Sequence, residues 1–265
     1  MKQLAGSYDN GTTVDNEDAI LTSFQTRSAA IFHQVKHEKN IAYGESERET
    51  FDWLYSAKQH QGTLIFIHGG YWQCCDKADF AFIAAGPLAL GFDVVLVEYA
   101  LAPAVNLDAI CRQVGAALDA IQRRLPPHYA HPVHLCGHSA GGHLAAFWQR
   151  HALVDAVFPV SGLFELAPLQ ESYVNRALQL TARQIETLSP ARRLPARSKP
   201  LTLYYGADEL PELIGQSQHY HAALRQGGLP ADLVAVPGAN HFTILDALFA
   251  ADGALLRQLD HYGNH

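Results

Sequence analysis

From Thr63 onward the chain alternates short, unbroken apolar runs with longer stretches of helical spacing, and this alternation limits the fold more than any other feature. Thr63-Leu64-Ile65-Phe66-Ile67, Val94-Val95-Leu96-Val97, Val133-His134-Leu135-Cys136, Ala156-Val157-Phe158-Pro159-Val160, Leu201 to Tyr205 and Leu233 to Val236 are short runs, most of them rich in β-branched or aromatic residues. A run that is apolar at successive positions has no wet face, so each reads as a strand covered on both sides. Between them, residues 76–90, 107–124 and 211–226 read as helices, as do stretches starting near Ala140 and Phe242. In 107–124, Ile110, Val114, Ala117, Leu118 and Ile121 share one face. Strands alternating with helices give an α/β fold, a mostly parallel central sheet with helices on both faces. Ligands of such sheets bind beyond the carboxyl ends of the strands. Residues 1–60 are more polar. A helix around Asn16 to His33 and a strand around Thr50 to Tyr55 are expected there, as an extension, and a candidate lid, on one domain whose core spans 61–265.

A 265-residue chain that is 48% hydrophobic and 17% charged can bury a large core, and its net charge of −7 argues against a nucleic-acid partner. The densest basic stretch, Arg192-Arg193 with Arg197 and Lys199, reads as a solvated helix end or loop. Cys74, Cys75, Cys111 and Cys136 lack metal-ligand spacing and are too few for a disulfide framework, so reduced thiols are expected. His128, His131 and His134 recur at every third position, but Pro126, Pro127 and Pro132 exclude a helix interior; a loop entering a strand is expected, and no metal. No run approaches the roughly 20 apolar residues that span a bilayer, and residues 1–30 hold no apolar leader core. The expectation is a cytoplasmic protein with a small-molecule substrate, no membrane, no cofactor and a homodimer as a candidate assembly.

The chemistry is carried by four segments, each just past a strand. Gly137-His138-Ser139-Ala140-Gly141 follows the 133–136 strand and opens a helix, which is the context of a G-x-S-x-G nucleophile elbow. Ser139 then stands at the positive end of a helix, where developing negative charge is favoured. The plainer alternative is a glycine-rich turn with an incidental serine. A serine hydroxyl needs an imidazole base oriented by a carboxylate. In this chain order the base lies latest, and His241, in Val236-Pro237-Gly238-Ala239-Asn240-His241-Phe242, closes a loop after the last strand. His151, His219 and His221 lie in helical stretches, and His261 and His265 in the tail. The acid is expected at Asp208, two residues past the Gly206 turn that ends the 201–205 strand. Glu209 is adjacent and Glu212 close, so a neighbouring carboxylate stays open.

His68-Gly69-Gly70-Tyr71-Trp72 follows the 63–67 strand and has the form of an oxyanion loop. The amides of Gly69, Gly70 and Ala140 are the expected donors to a carbonyl oxygen as it becomes negative. Tyr71, Trp72 and Phe242 are the candidate aromatic walls of a substrate pocket, against the alternative of packing beneath the loop. Ser161, which has Pro159 where an elbow has glycine, reads as a strand-end turn or pocket wall.

Taken together these residues resemble the arylformamidase (kynurenine formamidase) branch of the α/β-hydrolases, close to the hormone-sensitive-lipase-like esterases. The resemblance runs from Tyr8-Asp9-Asn10 and Ile41-Ala42-Tyr43-Gly44 through the 68–73 loop, Glu98 to Pro103, the elbow, Pro159 to Leu166 and Leu188-Ser189-Pro190. It continues to Gly206 to Glu212, Gln216-Ser217 and Asn240-His241-Phe242. Leu210 departs from it, standing where a small polar residue is expected. The resemblance implies a serine hydrolase that cleaves the formyl amide of N-formyl-L-kynurenine, in tryptophan degradation. A carboxylesterase for small acyl esters, or an amidase for another acylated amine, would share every one of these residues; a fold without activity, used for binding, would not need them intact.

Overall fold

The computed structural model describes residues 7–197 and 199–263. Its sheet contains β1 (His37–Ala42), β2 (Thr50–Leu54), β3 (Gly62–Ile67), β4 (Phe92–Val97), β5 (Val133–His138), β6 (Ala156–Val160), β7 (Thr202–Gly206) and β8 (Asp232–Val236), in the order β1-β2-β4-β3-β5-β6-β7-β8. The β1–β2 and β2–β4 pairs are antiparallel and the rest are parallel. The helices are α1 (Glu17–Gln34), α2 (Ala85–Leu90), α3 (Leu107–Arg124), α4 (Ala140–Phe147), α5 (Asn175–Leu178), α6 (Ala182–Leu188), α7 (Pro211–Gln226), α8 (Thr243–Phe249) and α9 (Ala254–Gly263). This is the α/β fold expected from the alternation.

The unbroken apolar runs have a direct cause. Ile65 and Ile67 of β3, with Val95 and Val97 of β4, enter one core; Leu64, Phe66, Val94 and Leu96 enter the other, across the sheet. Successive side chains point to opposite faces, and both faces are covered. The α3 stripe from Ile110 to Ile121 packs in the first core.

Three features differ from the sequence expectation. Strand β1 has a mostly exposed pattern, so His37-Glu38-Lys39-Asn40 carries no apolar signal; it is an edge strand held by pairing with β2. Residues Lys77–Ala84 form a 3₁₀ segment, and only Ala85–Leu90 is α-helical. Here Ser28 of α1 donates to the Asp79 carbonyl and accepts from the Phe82 amide, so an outside side chain occupies backbone groups of the segment. The β6–β7 connection carries α5 and α6, whose short, irregular spacing gave no periodic signal.

Leu210 is the N-cap of α7 and makes no side-chain cap, although Pro211 follows in the favoured first position. The small polar residue missing from the sequence is therefore a missing cap. Leu210→Ser is expected to stabilise the fold by about 1 kcal/mol, read as a raised urea midpoint with unchanged slope.

The surface and histidine features also resolve. Arg192 pairs with Glu165 and Glu186. His134 is buried between Phe92 and Phe158, whereas His131 packs on His60 and Tyr129, so these rings do not converge. Cys111 and Cys136 are buried free thiols; Cys74 and Cys75 lie side by side with Sγ atoms 3.8 Å apart. None of the described helices is long and apolar enough to cross a membrane.

Candidate active site

The carboxyl end of β5 turns sharply into α4 at Ser139, whose φ of 56° and ψ of −118° are strained for a residue with a side chain. The turn is fixed by contact. A Cβ on Gly141 would lie 2.0 Å from the Ile67 carbonyl oxygen, and one on Gly137 2.1 Å from that of Gly141. Only glycine lets these backbones meet, so the spacing of the motif is a packing requirement. The Ser139 amide donates to the Val160 carbonyl at 2.8 Å, tying the elbow to the end of β6.

His241 follows β8 and precedes α8. Its Nδ1 lies 3.2 Å from Glu209 Oε2, and both side chains are at least 95% buried. The other Glu209 oxygen accepts from the Ser161 hydroxyl at 2.5 Å and from the Gly206 amide at 2.7 Å. Glu209, not Asp208, therefore faces the histidine, which corrects the sequence expectation. The reason is the turn after β7: the Glu209 amide bonds back to the Gly206 carbonyl, so Ala207 and Asp208 occupy its exposed corner and residue 209 folds over the strand end. Ser161, read from sequence as a turn or wall, is a buried donor that holds the carboxylate.

The 68–72 loop passes directly over the elbow. A Cβ on Gly69 would lie 3.0 Å from Ser139 Cβ. Gly70 has φ of +100°, and a Cβ there would lie 2.3 Å from the Cys74 carbonyl oxygen. The loop's carbonyls are held from behind. The Tyr99 hydroxyl lies 2.9 Å from the His68 oxygen and 3.3 Å from that of Gly69, and His68 Nδ1 lies 2.7 Å from the Gly69 oxygen. His68 Nε2 and Arg48 both meet Glu98. Burial would raise the Glu98 carboxyl, but the His68 hydrogen bond and the charges of His68 and Arg48 hold it below the usual range.

Ser139, His241, Gly70, Tyr71 and Phe242 line one cleft of about 220 Å³. Trp72 does not line it. Tyr71 and Trp72 both have positive φ, and Trp72 is fully buried with its ring 5.1 Å from that of His143, so it is core and not wall. Tyr173 and residues of the N-terminal segment between Asp9 and Phe24 also line the cleft; the family resemblance touched Asp9 and Asn10, but no motif pointed to Tyr173 or Glu17. His138, between Gly137 and Ser139, also lines the cleft and lies 2.9 Å through Nε2 from the His241 carbonyl. Burial, with the nearby His241, keeps it well below the usual imidazole range, so it is neutral and donates that bond.

Comparison with known proteins agrees with this architecture. Residues 64–193 match a family model described as an alpha/beta hydrolase fold. The chain is 32% identical to the kynurenine formamidase of Salmo salar, over 83% of this chain and 80% of that protein. It is also 32% identical to the kynurenine formamidase of Danio rerio, over 79% and 76%. Among solved structures, a thioesterase candidate from Silicibacter sp. superposes with a TM-score of 0.88 at 26% identity, covering 96% of this chain and 98% of that one.

Proposed function

Because the chain belongs to the kynurenine formamidase family of α/β-hydrolases, we propose that it hydrolyses the formyl amide of an N-formyl arylamine, N-formyl-L-kynurenine in the cell, to the amine and formate. The observation that carries this reading is that His241, bonded to the buried Glu209, lines the same cleft as a strained elbow serine. Ser139 is the nucleophile, His241 the base and Glu209 the acid that orients it. His241 takes the Ser139 proton as Oγ attacks the formyl carbon. The amides of Gly69, Gly70 and Ala140 receive the negative oxygen. The imidazolium, steadied by Glu209, protonates the departing aryl nitrogen. The C–N bond breaks, leaving a formyl ester on Ser139. Water, deprotonated by His241, then releases formate and restores the serine.

The cleft suits this division. A formyl group needs almost no room on the acyl side, and Tyr71 and Phe242 offer aromatic walls for the leaving amine. The enzyme acts on a small molecule in the cytoplasm, with residues of the N-terminal segment in the wall of its cleft.

The test is formate release from N-formylkynurenine and from formanilide, set against hydrolysis of phenyl acetate. The formamides are expected to show the higher kcat/KM. Efficient turnover of the ester alone would overturn the reading.

A further inference from the structure

The side of the cleft formed by the N-terminal segment carries hydrogen-bond acceptors and negative charge. Among the described residues that line it, none is Lys or Arg, whereas Asp9 and Glu17 both do. The two carboxylates close on the same bare spot: a Cβ built on Gly11 would lie 2.5 Å from Glu17 Oε2 and 3.3 Å from Asp9 Oδ1. Burial, with the charges of Asp9 and Asp18, raises the Glu17 carboxyl above its ordinary range, while His241 pulls it down. Two carboxylates in the wall of a pocket lined by no Lys or Arg repel each other, and a cation beside them would offset that repulsion.

A separate observation points the same way. Asn10 is 94% buried, lines the cleft, and its Oδ1 has no hydrogen-bond partner. The orientation of this amide is set by its neighbours. The Tyr71 hydroxyl gives its proton to the Tyr8 carbonyl at 2.6 Å, so it can only accept from Asn10, which therefore turns Nδ2 toward it at 3.3 Å. That leaves the carbonyl oxygen as an orphan acceptor, a state that is unfavourable until a donor reaches it. Two carboxylates and an orphan amide oxygen, with nothing to donate among them, match a group that has several N–H donors and a positive charge.

We propose that Asp9, Asn10 and Glu17 form a subsite for an ammonium group on the leaving-group half of the substrate. The inference rests on the formamidase reading for its placement, since the aryl amine must lie on this side of Ser139. It also makes the recognition one-sided. The ammonium of an amino-acid side arm is bound, and its carboxylate is left to solvent.

The probes are deformylated arylamines, which undergo no turnover: three ortho-acylanilines whose acyl chains end in an ammonium, a carboxylate or a methyl group. Calorimetric titration into the protein is expected to give the ammonium probe a Kd about tenfold below the methyl probe, and the carboxylate probe the weakest binding. The ammonium preference is expected to shrink between 0.05 and 0.5 M salt, and to fall toward unity in Asp9→Asn/Glu17→Gln. Equal binding of the three, tighter binding of the carboxylate, no binding at all, or a preference indifferent to both salt and the double substitution would overturn the subsite. A protein that releases formate from formanilide yet binds the three probes alike loses only this subsite. One that releases no formate yet ranks the probes as expected loses only the formamidase reading.

Discussion

Glu209→Gln is expected to lower kcat by about 10⁴-fold, and Asp208→Asn to change it less than twofold. The size of the first effect follows from the hydrogen bonds around the carboxylate. One oxygen of Glu209 receives two donors, the Ser161 hydroxyl and the Gly206 amide. A glutamine in this place must turn its carbonyl oxygen to them, and so presents its NH₂ to His241 Nδ1. That nitrogen then has to accept, the ring proton moves to Nε2, and the histidine can no longer take a proton from Ser139. The fold has no reason to fail, because the shape is kept and the two inner hydrogen bonds survive. Steady-state kinetics with a thermal unfolding curve separate the two effects. The reverse pattern, with Asp208→Asn inactive and Glu209→Gln active, would restore the carboxylate first expected from the sequence.

Ser139→Ala is expected to remove about 10⁶-fold of kcat, leaving only what the oxyanion donors and binding supply. The backbone bond from residue 139 to Val160 does not involve the side chain, so Tm is expected to stay within a few degrees of the parent. A variant that keeps even a hundredth of the parent rate would point to a nucleophile elsewhere, and Ser161 is the nearby serine to examine. It is fully buried with its hydroxyl committed to Glu209, which is why it is not assigned that role.

How much of this was legible in the sequence depended on what fixed each residue. The strands were legible because both sheet faces are covered, which writes an unbroken apolar run at β3, β4 and β6. The elbow was legible because two backbone contacts admit nothing but glycine. His241 was legible from its place after the last strand. The acid was not, because distance from Gly206 along the chain does not say which of two adjacent carboxylates turns inward; one backbone hydrogen bond across the turn decides it. Trp72 and Tyr71 look alike as neighbouring aromatics, and nothing in their order says which ring is buried in the core and which lines the cleft. The family resemblance marked Asp9 and Asn10 without a role, and Glu17 was only part of an expected helix; their place in the cleft was hidden for a different reason. They lie more than a hundred residues from Ser139, in a segment with no strand-end position to mark them, and their shared wall exists only after folding.

The central claim is that Ser139, activated by a His241–Glu209 pair, carries the acyl group. Treatment with a fluorophosphonate followed by peptide mapping reads it directly. One adduct per chain is expected, on the peptide containing Ser139, formed far more slowly in Glu209→Gln. An active protein that takes up no label, or carries it on another residue, would contradict the account.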